Sequence, residues 1–128
     1  MRHQIFACAV AAAMACIVLS ASRAGAAPHT ITLSIHNESD KCAKFNLKSH
    51  HTPLNEWRNV GAHSDTYIRI SINNPNVHSI GASAEATIFE PDCRTRTSIP
   101  LRYDDVVVPS DSMVIANQGD TVVMYKRR

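Results

Sequence analysis

The sequence predicts an all-β fold, a small antiparallel β-sandwich of seven or eight short strands that follows a cleaved signal peptide. Apolar and polar residues alternate with a period of two along several segments, which is the pattern of half-buried strands. Turn-forming residues separate these segments at short intervals, as in NNPN, EPD and PSDS. After the N-terminal segment, no long stretch carries the helical periodicity of apolar residues.

The first 26 residues have the features of a secretory signal peptide. Arg2 precedes the apolar run IFACAVAAAMACIVL, and the segment closes with the small residues Ala24 and Ala26. A retained transmembrane helix is the alternative, but the run is shorter than the about 20 residues that a span needs. We therefore expect a secreted or periplasmic protein without a stable membrane anchor, whose residues 27–128 form a single sandwich domain.

The charge balance argues against a nucleic-acid partner. The chain has 13 basic and 11 acidic residues. Arg2 and Arg23 lie in the expected signal peptide, so the mature chain is formally neutral. Binding to a phosphate backbone requires clustered basic residues, and no such cluster is evident.

The strands are predicted in chain order from their alternation. Four segments place three to five apolar residues on one face: Ile31, Leu33 and Ile35; Ala43, Phe45 and Leu47; Ile68, Ile70 and Ile72; and Ile80, Ala82, Ala84, Ala86 and Ile88. The small alanines of the fourth segment predict that bulky side chains pack closely against that face.

Four further segments complete the set, namely TSIPLRY, DVVV, SMVIA and TVVMY. Pro100 lies within the first of them. Because proline cannot donate to a strand ladder, that segment is expected to be an edge strand or a bulged strand. The last two segments flank the short Gly-containing turn NQGD and predict a hairpin.

Two cysteines remain after the expected cleavage. Cys8 and Cys16 belong to the signal peptide, whereas Cys42 and Cys93 would enter an oxidising compartment and form a disulfide. Their Cα atoms are then expected to lie about 4.4–6.8 Å apart.

Cys42, Trp57 and Cys93 follow one another in the order and approximate spacing of an immunoglobulin domain. The details differ, because Cys42 follows the polar turn ESDK and Pro91 occupies the position where that family has a tyrosine. The predicted sandwich is therefore Ig-like in architecture only.

Three histidines are candidates for a Zn or Cu site, namely His50, His51 and His63. Such a site needs three or four converging ligands. Adjacent histidines in a strand point to opposite faces, so His50 and His51 could share an ion only in a loop, which Pro53 favours. The other interpretation is that these are exposed loop histidines, and no cofactor is expected.

The sequence carries no signature of catalysis. No local motif marks a serine as a nucleophile. Asp104 and Asp105 are adjacent in YDDVVV, so they alternate across a strand or flank a turn and do not form an acid–base pair facing one substrate. Asn37-Glu38-Ser39 fits the N-glycosylation acceptor pattern and lies in a predicted turn.

The stretch KSHHTPLNEW holds the only tryptophan of the chain. We expect His50, His51 and Thr52 to lie in an exposed loop that crosses between sheets, and Trp57 to be buried where the chain re-enters the sandwich. The alternative is that Trp57 is an exposed anchor of a recognition loop that includes both histidines. The favoured function is a non-enzymatic module that binds a protein or a glycan through its loops. A metal-binding protein that uses His50, His51 and His63 is the alternative.

Overall fold

The computed structural model describes residues 28–128. The predicted signal peptide, residues 1–26, lies outside the described residues. Among residues 28–128 there is no helix of the length and apolarity that a membrane span requires.

Eight strands form the fold, which agrees in number with the seven or eight predicted, although residues 55–60 form a strand that was not among the predicted segments and two predicted segments form a single strand. In chain order they are β1 His29–Asn37, β2 Cys42–Ser49, β3 Asn55–Val60, β4 Ser64–Ile72, β5 Ile80–Phe89, β6 Leu101–Val108, β7 Ser112–Gln118 and β8 Thr121–Arg127.

The strands form two four-stranded sheets that pack against each other. Sheet I has the order β4-β1-β7-β8, and sheet II has the order β3-β2-β5-β6. All the strand pairs of sheet II are antiparallel, whereas β1 and β7 of sheet I are parallel. The all-β sandwich predicted from the sequence is thus confirmed, with the difference that it includes a parallel pair, β1 and β7.

The core lies between the sheets and follows the predicted alternation. Leu33, Phe45, Leu47 and Ile68 are fully buried. In the β2–β5 register Phe45 stands opposite Ala86 and Leu47 opposite Ala84, so small residues of β5 lie beside bulky residues of β2 within the same sheet. A small residue beside each bulky one lets the inner face fill without overlap.

Two predictions about strands are wrong in detail. β2 and β3 are antiparallel neighbours in sheet II, so the loop that carries His50 and His51 closes a hairpin and does not cross between sheets. The segments TSIPLRY and DVVV do not form two strands. Pro100 precedes one continuous strand, β6, which begins at Leu101.

β6 contains a bulge opposite Ser83. Ala82 pairs with Val106 and Ala84 pairs with Tyr103, so one residue of β5 stands opposite both Asp104 and Asp105. An extra residue of this kind bends the strand and redirects side chains. The adjacent acids therefore mark an irregularity within a strand.

The disulfide between Cys42 and Cys93 is present, with its Cα atoms 5.2 Å apart. Cys42 begins β2 and is buried, whereas Cys93 is exposed in the connection from β5 to β6. An immunoglobulin disulfide joins the two sheets. Here β2 and β5 are neighbours in one sheet, which agrees with a sandwich that is Ig-like in architecture only.

A buried polar network surrounds Asn37 at the end of β1. Its Nδ2 donates to the carbonyl oxygens of Lys41, Val60 and Gly61 at 2.8, 2.9 and 3.0 Å. Its Oδ1 accepts from the backbone amide and the hydroxyl of Ser39, at 3.0 and 2.6 Å. Asn37 and Ser39 are 1% and 0% exposed. The glycosylation acceptor pattern therefore coincides with a structural element whose amide nitrogen is buried and fully engaged.

Asp111 has a similar role where the chain leaves β6 for β7. Its Oδ2 accepts from the Val107 amide at 2.8 Å, and its own amide donates to the Val107 carbonyl at 2.8 Å. The hydrogen bond from Val107 is the main cause that lowers the pKa of this carboxyl, and Lys126 and Arg128 add their positive charge, against the opposing effect of burial.

The segment Ser71–Val77 forms, with His29, a local unit of its own. The Asn74 side chain accepts from the amide of Asn76 at 2.9 Å, and its carbonyl accepts from the amide of Val77 at 3.1 Å. The Val77 carbonyl lies 2.7 Å from His29 Nε2.

We predict that Asn37→Ala lowers the free energy of unfolding by about 3 kcal/mol, because it leaves several buried backbone groups without a hydrogen-bond partner. Asn117→Ala, at an exposed position of β7, is the matched control and should change it by less than about 0.5 kcal/mol. Urea denaturation followed by far-UV circular dichroism measures both values. Equal effects of the two substitutions would show that the network contributes no specific stability.

Candidate functional site

The solvent-facing side of sheet II carries a row of large polar and aromatic side chains, one from each strand. Asn46 of β2 stands opposite Trp57 of β3 on one side and Glu85 of β5 on the other, and Glu85 stands opposite Arg102 of β6. We call Trp57, Asn46, Glu85 and Arg102 the polar row. It crosses three strand spacings, which is about 14 Å.

Trp57 is exposed over 48% of its surface, so the prediction that it is a core residue is wrong. The reason is parity along β3. Val60 is buried and faces the core, and Trp57, three residues earlier, faces the opposite side. Its partner Asn46 lies between Phe45 and Leu47, whose side chains fill the core, and this fixes the same orientation from the β2 side.

A lysine lies close to the indole of Trp57. Lys44 Nζ is 5.9 Å from the centre of the ring, a distance that suits a cation–π interaction. At an exposed site such a contact contributes about 0.5–1 kcal/mol. It orders the indole on the sheet while about half of the Trp57 surface remains open to solvent.

Asn46 is a buried amide on the otherwise exposed face. It is 4% exposed, although its strand neighbours Lys44 and Lys48 are exposed. Its Nδ2 donates to Asn55 Oδ1 at 2.6 Å and to the Glu56 carbonyl at 3.1 Å. Its Oδ1 accepts no hydrogen bond from any of the residues 28–128. The donor half of the amide is therefore satisfied, and the acceptor half is available to a ligand.

A cavity of about 100 Å³ lies beside Asn46 on this face. Its lining combines acceptors and donors of both charge signs. The lining residues are Asn46, Lys48, Ser83, Ala84, Glu85, Arg102 and Asp104. Arg102 donates to Glu85 Oε2 at 2.8 Å, so these two charges largely satisfy each other.

Lys48 and Asp104 are the charged lining residues that have no ion pair within the described chain. Asp104 reaches the cavity because the β6 bulge lies opposite Ser83. Together these two side chains supply one unengaged donor group and one unengaged acceptor group to the cavity.

The His50 side chain is connected to this site through Ser83. His50 Nε2 lies 2.9 Å from Ser83 Oγ, and the His50 amide donates to the Gly81 carbonyl at 3.2 Å. The two residues are closely packed, since a Cβ at Gly81 would lie 3.4 Å from His50 Nδ1. Two of the three residues of the predicted recognition loop therefore lie at the outer face of sheet II. His50 contacts Ser83 from the loop, whereas Trp57 belongs to strand β3 and not to the loop.

His51 is exposed, as predicted, and its ring lies edge-on to that of His50 with the ring centres 6.2 Å apart. Thr52 is also exposed in the same loop. The prediction of an exposed loop at these positions is confirmed.

The structure does not bring His50, His51 and His63 together. His63 follows β3, and the His50 loop precedes it, so the length of this strand, about 20 Å, separates them. The His63 amide donates to the Ser39 carbonyl, at the end of the sandwich that holds Asn37. Among residues 28–128 no three His, Cys, Asp or Glu side chains lie close enough to hold a metal ion. The described residues therefore do not assemble the three-histidine site that was the alternative to exposed loop histidines.

The contact between His50 and Ser83 has the distance of a nucleophile and its general base. A catalytic triad also needs a third group that orients the base. No carboxylate of the described chain hydrogen-bonds His50 Nδ1. The contact joins His50 to Ser83, which lines the cavity.

Comparison of the chain with protein-family models, with curated proteins and with solved structures finds no match.

Sequence reasoning missed most of the site. Alternation places Asn46 and Lys48 on the polar face of β2 and Glu85 on that of β5. What alternation does not give is the register that aligns these residues into a row, or the bulge that adds Asp104. A strand pairing constrained by the disulfide would have aligned Cys42 with the end of β5, and with it Asn46 with Glu85.

We predict that Trp57→Ala lowers the free energy of unfolding by only about 1 kcal/mol, because about half of the side chain is already in water. Phe45→Ala, which removes a fully buried ring of the same sheet, should cost about 3–5 kcal/mol. Chemical denaturation of both variants gives the comparison. A loss at Trp57 as large as that at Phe45 would mean that the indole is a core residue.

Proposed function

We propose that the protein is an exported, non-enzymatic β-sandwich module that binds a protein or glycan partner. The observation that carries the proposal is Trp57, a half-exposed indole on the outer face of sheet II, opposite Asn46, which lines a polar cavity. Large aromatic side chains supply much of the energy at recognition surfaces. The binding surface is accordingly the outer face of sheet II, with the loop of His50 and His51 at its border.

Several features support export to the cell exterior or the periplasm. The N-terminal residues have the charge, apolar run and small-residue ending of a signal peptide. The disulfide between Cys42 and Cys93 suits an oxidising compartment. In a domain of this size one disulfide typically contributes about 2–4 kcal/mol, which is a large part of the net stability.

We predict that the mature protein begins near Ala27. Cleavage after Ala26 would remove the apolar run together with Cys8 and Cys16. N-terminal sequencing of the protein recovered outside the cytoplasm makes the test. Intact Met1 on a membrane-bound product would contradict export by cleavage.

The binding proposal is tested by immobilising the exported chain and three variants. The amount of protein or glycan that each retains is then measured, from the culture medium and from the cell-surface material of the producing organism. We expect Trp57→Ala to reduce retention of the partner at least about tenfold, the effect of losing an anchor of about 1.4 kcal/mol. Tyr67→Ala is the matched control. It removes a similarly exposed ring (49%) from β4, in the other sheet, and should leave retention unchanged.

Lys44→Ala is the third variant, and it should reduce retention less than Trp57→Ala does, because it removes only the cation that orders the indole. Retention that is unaffected by Trp57→Ala, or equally reduced by Tyr67→Ala, would place the binding surface elsewhere and overturn the proposal.

A further inference from the structure

The chemistry of the polar row and of the cavity beside Asn46 indicates which class of partner, protein or glycan, the outer face of sheet II binds. This step rests on the proposed function. We propose that the face binds a neutral glycan chain, with one sugar ring over the Trp57 indole and a neighbouring sugar in the cavity beside Asn46.

The first argument is the combination of free hydrogen-bonding groups at the cavity. Asn46 Oδ1 and Asp104 accept, whereas Lys48 donates, and all three have their ligand-facing groups unengaged by the described chain. A hydroxyl group both donates and accepts. Neighbouring hydroxyls of a sugar can therefore satisfy an acceptor and a donor of the cavity at the same time.

The burial of Asn46 strengthens this argument. Asn46 is 4% exposed and lines the cavity, its Nδ2 is held by two hydrogen bonds, and its Oδ1 forms none within residues 28–128. A ligand hydroxyl that fills this position gains an interaction that the protein itself does not provide.

Charge distinguishes a neutral ligand from an ionic one. Sites for phosphate or sulfate groups concentrate basic side chains. Here Glu85 and Asp104 line the same cavity as Lys48 and Arg102, and Arg102 is already paired with Glu85. An anionic or a cationic ligand would face a repulsive partner, whereas uncharged hydroxyls meet groups of both kinds.

The scarcity of apolar surface distinguishes a glycan from a protein partner. A stable protein interface buries about 800 Å² on each side, with several aromatic or aliphatic residues at its centre. Among the large exposed apolar residues of the described chain, Trp57 lies on this face, whereas Tyr67 and Tyr125 lie in sheet I and Ile99 in the loop before β6. One indole surrounded by polar groups suits a sugar ring, which presents C–H groups on its face and hydroxyls at its rim.

The single tryptophan makes the test direct, because the tryptophan fluorescence of the protein reports on Trp57 alone. The exported chain is titrated with cellotetraose, maltotetraose, mannotetraose and tetra-N-acetylchitotetraose, and with tetragalacturonate as the acidic comparator. Each is added to about 10 mM, tenfold above a Kd of about 1 mM. We expect at least one neutral oligosaccharide to shift the emission to shorter wavelength in a saturable manner.

Two exposed side chains of the cavity then test its role without disturbing the core. Lys48→Ala and Asp104→Asn should each weaken binding of that oligosaccharide about tenfold, the effect of one charged hydrogen bond. Asp120→Asn, an exposed acid in the β7–β8 turn, is the matched control and should leave the Kd unchanged.

Three results would overturn the proposal. A fluorescence response that neither Lys48→Ala nor Asp104→Asn weakens would remove the cavity from the site. A response to tetragalacturonate alone would replace the neutral glycan by an acidic one. No response to any oligosaccharide, together with a Trp57-dependent protein in the retention experiment, would show that the face binds a protein. This last result overturns the glycan assignment and leaves the proposed function intact, whereas retention that is independent of Trp57 overturns both.

Discussion

The fold depends on the hydrogen bonds of one buried amide, that of Asn37. A sandwich requires the chain to pass repeatedly from one sheet to the other, and at each passage the backbone leaves the ladder that satisfied its polar groups. Two passages, from β1 to β2 and from β3 to β4, meet at the end of the sandwich where Asn37 lies. Its side chain donates hydrogen bonds to the carbonyl oxygen of Lys41 in the first passage and to that of Gly61 in the second. One residue therefore provides hydrogen-bond partners for the backbone of both passages.

The passage from β6 to β7 follows the same principle with a different residue. Asp111 replaces the missing ladder partner of the Val107 amide, and Lys126 of β8 lies 3.5 Å from its carboxylate. Lys126 Nζ also lies 5.7 Å from the centre of the Tyr103 ring of β6. Lys126 therefore connects β6 and β8, which are edge strands of different sheets and are not paired through backbone hydrogen bonds.

The alternation of the sequence predicted the sandwich because a strand with one buried face leaves a period-two signal that needs no knowledge of its partners. Phe45 and Leu47 illustrate this, since their burial follows from β2 alone. Trp57 illustrates the limit. Its segment contains one apolar residue that faces the core, Val60, and hydrophobicity suggested burial where parity required exposure. The burial of Asn37 and Asp111 could not be predicted from the sequence for a related reason. A polar residue in a turn has the same local sequence whether its side chain is buried and hydrogen-bonded to the backbone or exposed to solvent.

The location of the candidate site on a sheet, and not on the loops, has an energetic consequence. A binding loop loses conformational entropy when it is ordered by a ligand, whereas a strand within a sheet has already lost it on folding. Asn46 is held by two hydrogen bonds, and Trp57 is fixed by its pairing with Asn46 and by Lys44. The same alternation that buries Phe45 and Leu47 in the core thus directs Asn46 outward, so packing of the core positions the polar row. A change in the β2–β5 register by one residue would exchange the two faces, and the fold and the candidate site would be lost together.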